Sequence, residues 1–193
     1  MKKNALALVM SFVIVSVMGQ ENLPYRTIDK SYDSYNAGTV VARMLDGLGF
    51  RFYWATEELK ESSLNYKPSE EARTYEETIN HILGLSRIIV NSALQQPNDR
   101  SVEQPVHSYE QKREAILKNI KTASDIFMKV DDLANYTIVF TSDQGSREIP
   151  FWNNINGPIE DAVWHCGQLV SMRRAAGDPM SKKPSFFSGQ VRE

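Results

Sequence analysis

Apolar residues recur at spacings of three and four along most of this chain, the spacing that lines up one face of an α-helix. The first such run predicts a helix over residues 38–59, with Val41, Met44, Leu45, Leu48, Phe52, Ala55 and Leu59 as its buried stripe. Gly47 and Gly49 weaken that helix by about 1 kcal/mol each, so close packing against it is expected there. Lys67-Pro68-Ser69 breaks the chain, and Thr74-Tyr75-Glu76-Glu77 reads as a capping box that opens a second helix reaching about residue 94. Its apolar arc is Ile79, Ile82, Leu83, Leu85, Ile89, Val90 and Ala93. A polar loop over 95–106, carrying Pro97 and Pro105, leads to a second capping box from Ser108 to Gln111. The third helix extends to about residue 130 on Ala115, Ile116, Ile120, Ala123, Ile126 and Phe127.

Then the period changes. Thr137-Ile138-Val139-Phe140 and Ile149-Pro150-Phe151 flank Ser142-Asp143-Gln144-Gly145, which predicts a short hairpin. Asn156-Gly157 is a breaker pair, and Pro158 suits the first turn of a last helix because its missing N–H has no partner there. The expected fold class is all-α, a four-helix bundle with a small β-hairpin before the last helix. Residues 20–34 lack periodicity and read as an extended lead-in.

The last helix also carries the candidate chemistry. At about 100° per residue, Asp161, His165, Gln168 and Met172 share a narrow stripe. Ile159, Ala162, Cys166, Leu169 and Val170 form an apolar arc beside it, with Glu160, Gly167, Ser171 and Arg174 on the far side. A carboxylate and an imidazole at i and i+4 point the same way, close enough to share one cation. His81 borders the apolar arc of the second helix in the same manner. Each residue has a plainer reading: His81 as a core histidine with a hydrogen-bond partner, Asp161 as a first-turn residue favoured by the helix dipole, His165 as the ion-pair partner of Asp161. Glu77 lies on the His81 side but is taken by the capping box. Cys166 points about 100° away from His165 and reads as a small buried residue. Trp54, Trp152 and Trp164 are pocket walls or core, Gln168 orients His165 or is solvated, and Arg173 and Arg174 cap the helix end. His107, in a proline-containing loop, reads as structural.

Composition changes the picture mainly at the N-terminus. Lys2-Lys3, the apolar run over 5–18, and Val17 and Gly19 at the −3 and −1 positions predict a signal peptide over 1–19. The run is shorter than the about 18 residues that a membrane span needs. The expectation is an exported protein, periplasmic or secreted, with one domain over 20–193 and no stable membrane insertion after cleavage. Losing Lys2 and Lys3 leaves 20 basic against 24 acidic residues, a net charge of −4 that argues against a nucleic-acid partner. A single cysteine, Cys166, cannot form an internal disulfide.

Laid out in this order, three segments make the chain resemble the DinB superfamily of metal-binding four-helix bundles (not the DNA polymerase that shares the name). They are Leu45-Asp46-Gly47-Leu48-Gly49-Phe50-Arg51-Phe52-Tyr53-Trp54, Thr74-Tyr75-Glu76-Glu77-Thr78-Ile79-Asn80-His81-Ile82-Leu83-Gly84, and Trp164-His165-Cys166-Gly167-Gln168 with Arg173, Gly177 and Pro179 after it. The likeness covers nearly all of residues 20–193. It implies a divalent-metal site built from one histidine of the second helix and two residues of the last, four apart. These fall on His81, Asp161 and His165, where aspartate departs from the family's usual histidine. Two imidazoles and a carboxylate suit zinc or nickel, with iron or manganese as alternatives. Three protein ligands leave a coordination position open. The resemblance implies a metal-dependent enzyme of hydrolase or thiol-transferase type acting on a small molecule, and leaves room for a homodimer. A non-catalytic, metal-stabilised binding or stress-response module is the alternative from another class.

Overall fold

A computed structural model of the chain describes residues 23–28, 32–99, 101, 102, 105 and 107–192. The signal peptide expected over 1–19 lies outside them. No described helix is long and apolar enough to cross a membrane.

Four long helices dominate the described residues: α1 (Ala37–Thr56), α2 (Tyr75–Ala93), α3 (Tyr109–Phe127) and α4 (Glu160–Ala175). The first three open on capping boxes, in which Asn36, Thr74 and Ser108 accept the N3 amide while Thr39, Glu77 and Gln111 reach back. Each cap contributes about 1 kcal/mol. Two of the three boxes are those read from the sequence. Helix α1 stops three residues short of its expected end, because Glu57 turns extended and Glu58 takes a positive φ of 52°. The carbonyls orphaned there find donors on other elements. Tyr75 and Arg173 donate to Ala55 O, Tyr109 to Thr56 O, and Arg173 also to Glu57 O and Glu58 O. Arg173 was expected to cap its own helix; it is buried and caps α1 instead.

Helices α1 and α2 each pack mainly on α3 and α4, so the order around the core is α1, α3, α2, α4. The predicted stripes fill that core, with Leu45, Phe52, Ile79, Ile89, Ile116, Phe127 and Leu169 all fully buried. The arrangement is compatible with a helical bundle. Close packing at Gly49 is also found, since a Cβ there would come within 2.3 Å of the Tyr25 ring. The Tyr25 hydroxyl donates to buried Asp46 (3.1 Å), which accepts from Tyr32 and from Ser124 (2.7 Å) as well. Three donors meet the cost of burying that carboxylate. The stretch read as an extended lead-in thus contributes Tyr25 to the core.

Strand content exceeds the one expected hairpin. That hairpin is present, as antiparallel β2 (Ile138–Ser142) and β3 (Gly145–Ile149), and β1 (Asn98–Asp99) joins β2 in parallel from the stretch read as a polar loop. A second small sheet pairs β4 (Pro184–Ser185) with β5 (Gln190–Val191). Helical backbone also begins early before α4. A single turn at Trp152–Asn154 and a π-helical turn at Ile155–Ile159 run straight into it. Pro158 lies inside the π turn, where its missing N–H leaves one ladder hydrogen bond unmade. Asn156-Gly157 therefore widens the helix and does not break it.

Candidate metal centre

Because α2 and α4 are neighbours, the polar edges of their apolar arcs meet. His81 Nε2 lies 3.0 Å from Asp161 Oδ2, and His165 Nε2 lies 3.2 Å from Asp161 Oδ1. The imidazoles stand edge to face, with ring centroids 4.6 Å apart. One ligand atom from each of the three residues lies within 4.8 Å of the others, a group that could hold a metal ion. The sequence placed these three on two helix edges, and the fold brings them together. The His165 side chain is 12% exposed against 33% for His81 and 39% for Asp161, so the group opens toward solvent on one side.

The orientation of His165 follows from its neighbour. Gln168, one turn along α4, places Oε1 2.7 Å from His165 Nδ1. An amide oxygen only accepts, so Nδ1 carries the proton and donates it. In a neutral ring that leaves a lone pair on Nε2, facing a carboxylate oxygen at 3.2 Å. Two acceptors at that distance repel unless a cation lies between them, either a second ring proton or a metal ion. Two imidazole nitrogens and a carboxylate oxygen from two helices are a donor set that fits a divalent metal. Gln168 holds the histidine from behind, as outer partners do at histidine metal sites.

Beside this group opens a cavity of about 780 Å³. One wall is α4, with Trp164, His165, Gly167 and Gln168; the other is the loop before α2, with Tyr66 and Arg73. That loop connects α1 to α2, which lie diagonally across the core, so it must cross one end of the helices. Trp164 is 71% exposed. It lines the cavity, while Trp54 is buried and donates its indole N–H to Arg26 O (3.2 Å).

The remaining sequence candidates fall outside the centre. Glu77 Oε2 accepts from the Thr74 amide at 2.7 Å, and the Thr74 amide and hydroxyl hold its carboxyl below the usual carboxylate range. Cys166 is buried among core residues, and burial pushes its thiol up to about 12. His107 is half-buried and takes no part in the ligand group. Sequence reading missed Tyr66 and Arg73, because the 57–74 loop has no periodicity that would aim a side chain. Comparison of the chain with protein-family profiles, curated proteins and solved structures returns no match.

Proposed function

We propose that the chain is a DinB-like four-helix-bundle protein and an exported, divalent-metal-dependent enzyme of hydrolase or thiol-transferase type that acts on a small molecule. The observation that carries this reading is the convergence of His81, Asp161 and His165 within 4.8 Å, with Gln168 Oε1 2.7 Å from His165 Nδ1 so that Nε2 faces the group. His81 Nε2, His165 Nε2 and an Asp161 oxygen would hold the ion. Zinc or nickel suits the two imidazoles best, while the carboxylate also admits iron or manganese. A divalent ion there would supply Lewis-acid polarisation of a substrate oxygen or sulfur.

The chain's own residues have separate tasks. Gln168 keeps the proton of His165 on Nδ1. Asp161 places one oxygen beside each ring, 3.0 Å from His81 Nε2 and 3.2 Å from His165 Nε2, so that one ion could join all three. The loop carrying Tyr66 and Arg73 walls the cavity beside the centre. The partial exposure of His81 and Asp161 favours a reactive site over a buried metal staple.

Metal-loaded protein should hydrolyse activated esters or amides, or add a low-molecular-weight thiol to an electrophile, and Asp161→Ala should abolish that turnover. Metal bound at full occupancy with no turnover on either class would leave the staple reading in its place.

A further inference from the structure

We infer that the cavity beside the metal centre takes a small ligand with a flat apolar body and an anionic group, the anion held by Arg73 and the flat body lying on Trp164. As a statement of substrate class this rests on the centre being the reactive site; as a statement of binding it stands on the cavity alone.

Charge comes first. Among the described residues lining the cavity, Arg73 is the only fixed charge, and none carries a carboxylate. On a chain with more acidic than basic residues, the one fixed charge of this lining is thus positive. Arg73 is exposed and forms no ion pair among the described residues; the nearby Glu77 carboxylate feels its charge but is bonded to the Thr74 amide. A guanidinium with its fork free matches a carboxylate or phosphate in bidentate fashion.

Shape comes second. Trp164 leaves an indole 71% exposed on the cavity wall, although burying it would have been favourable. Tyr66 faces the cavity from the loop side. Between turns of α4, Gly167 has no atom within 4 Å of where a Cβ would stand. Glycine inside an exposed helix face costs stability relative to alanine. Its missing side chain keeps the wall beside Trp164 clear. Two aromatic rings, an open stretch of wall and one cation describe a slot for a planar acid.

Phenylacetate and its uncharged isostere phenylacetamide are suitable probes, read by the shift of the Trp164 indole N–H resonance in labelled protein, with metal content measured on the same samples. Phenylacetate should bind wild type about tenfold more tightly than the amide. Arg73→Gln should abolish that preference with metal content unchanged, in metal-loaded and metal-free protein alike. Trp164→Ala, followed by probe-detected NMR, should weaken both probes similarly. Gly167→Leu, whose Cβ has open space around it, should block both, with circular dichroism confirming the fold. The inference is overturned if the acid preference survives Arg73→Gln, if Gly167→Leu binds as wild type, or if neither probe shifts Trp164 at millimolar concentration. Failure of the metal reading looks different: no metal is retained, yet the Arg73-dependent preference stands.

Discussion

Replacing Arg173 with methionine probes how the end of the fold that frames the cavity is held. The guanidinium is 2% exposed and donates to Ala55 O, Glu57 O, Glu58 O, Asp178 O and Asp178 Oδ1 at 2.8–3.3 Å. The Asp178 carboxylate accepts in turn from the Lys60 amide (3.0 Å) and Ser63 Oγ (3.1 Å). These bonds tie the end of α1, the beginning of the 57–74 loop and the end of α4 into one clasp. Methionine fills much of the volume but takes this donor from Glu57 O, Glu58 O and Asp178 O and leaves the buried Asp178 carboxylate without its cation. Breaking a buried pair from one side costs about 3–5 kcal/mol. At this chain length each kcal/mol lowers Tm by about 2–4 °C, so a drop of roughly 6–20 °C is expected. Thermal unfolding of metal-free protein followed by circular dichroism reads it directly. Acid supplies an independent check. Burial pushes the Asp178 carboxyl up, but the Lys60 amide, the Arg173 charge and Ser63 outweigh it and hold the group below the usual carboxylate range. A depressed folded pKa contributes stability above the unfolded value and loses it as pH falls through the folded value. Asp178→Asn should therefore be less stable than wild type at neutral pH, with the gap narrowing in acid. An Arg173→Met protein melting within about 2 °C of wild type, or a gap that widens in acid, would refute the clasp.

Three further outcomes are expected. Gly49→Ala should destabilise by about 1–3 kcal/mol in urea denaturation, because its Cβ meets the Tyr25 ring at 2.3 Å, whereas Gly167→Ala should stabilise by up to about 1 kcal/mol. Equal effects at the two glycines would contradict the packing. Cys166, buried and with its thiol pushed up to about 12, should resist Ellman's reagent at pH 8 until the protein is unfolded; fast reaction in the native state would show the site to be accessible. Gln168→Leu should weaken metal binding by about 10–100-fold while Gln168→Glu largely retains it, measured by competition with a chromogenic chelator.

Periodicity made the four helices and two capping boxes readable, because both are local properties of three to twenty residues. The same periodicity placed Asp161 and His165 on one edge and His81 on another, and neighbouring helices did the rest. Arg173 shows where such reading stops: a basic residue in a last turn suggests its own helix end, and only the tertiary fold reveals the carbonyls of α1 beside it. Asp46 was hidden likewise, since its three donors Tyr25, Tyr32 and Ser124 come from far along the sequence. The Asn156-Gly157-Pro158 run looked like a helix start, because propensity does not anticipate a π turn that tolerates proline. Strand β1 contains two residues and owes its existence to β2, so no pattern in the 95–106 stretch announced it.

The most direct measurement is metal content after equilibrium dialysis against zinc and nickel, on wild type and on His81→Ala, Asp161→Ala and His165→Ala, with melting of the same samples. Wild type should hold about one ion per chain, and ion at about 100 times its Kd should add about 2.7 kcal/mol, raising Tm by roughly 5–11 °C. Each variant should lose the ion and melt at the same temperature with or without it. If Asp161→Ala and His165→Ala keep full occupancy and the full metal-dependent rise in Tm, these residues do not form the metal site.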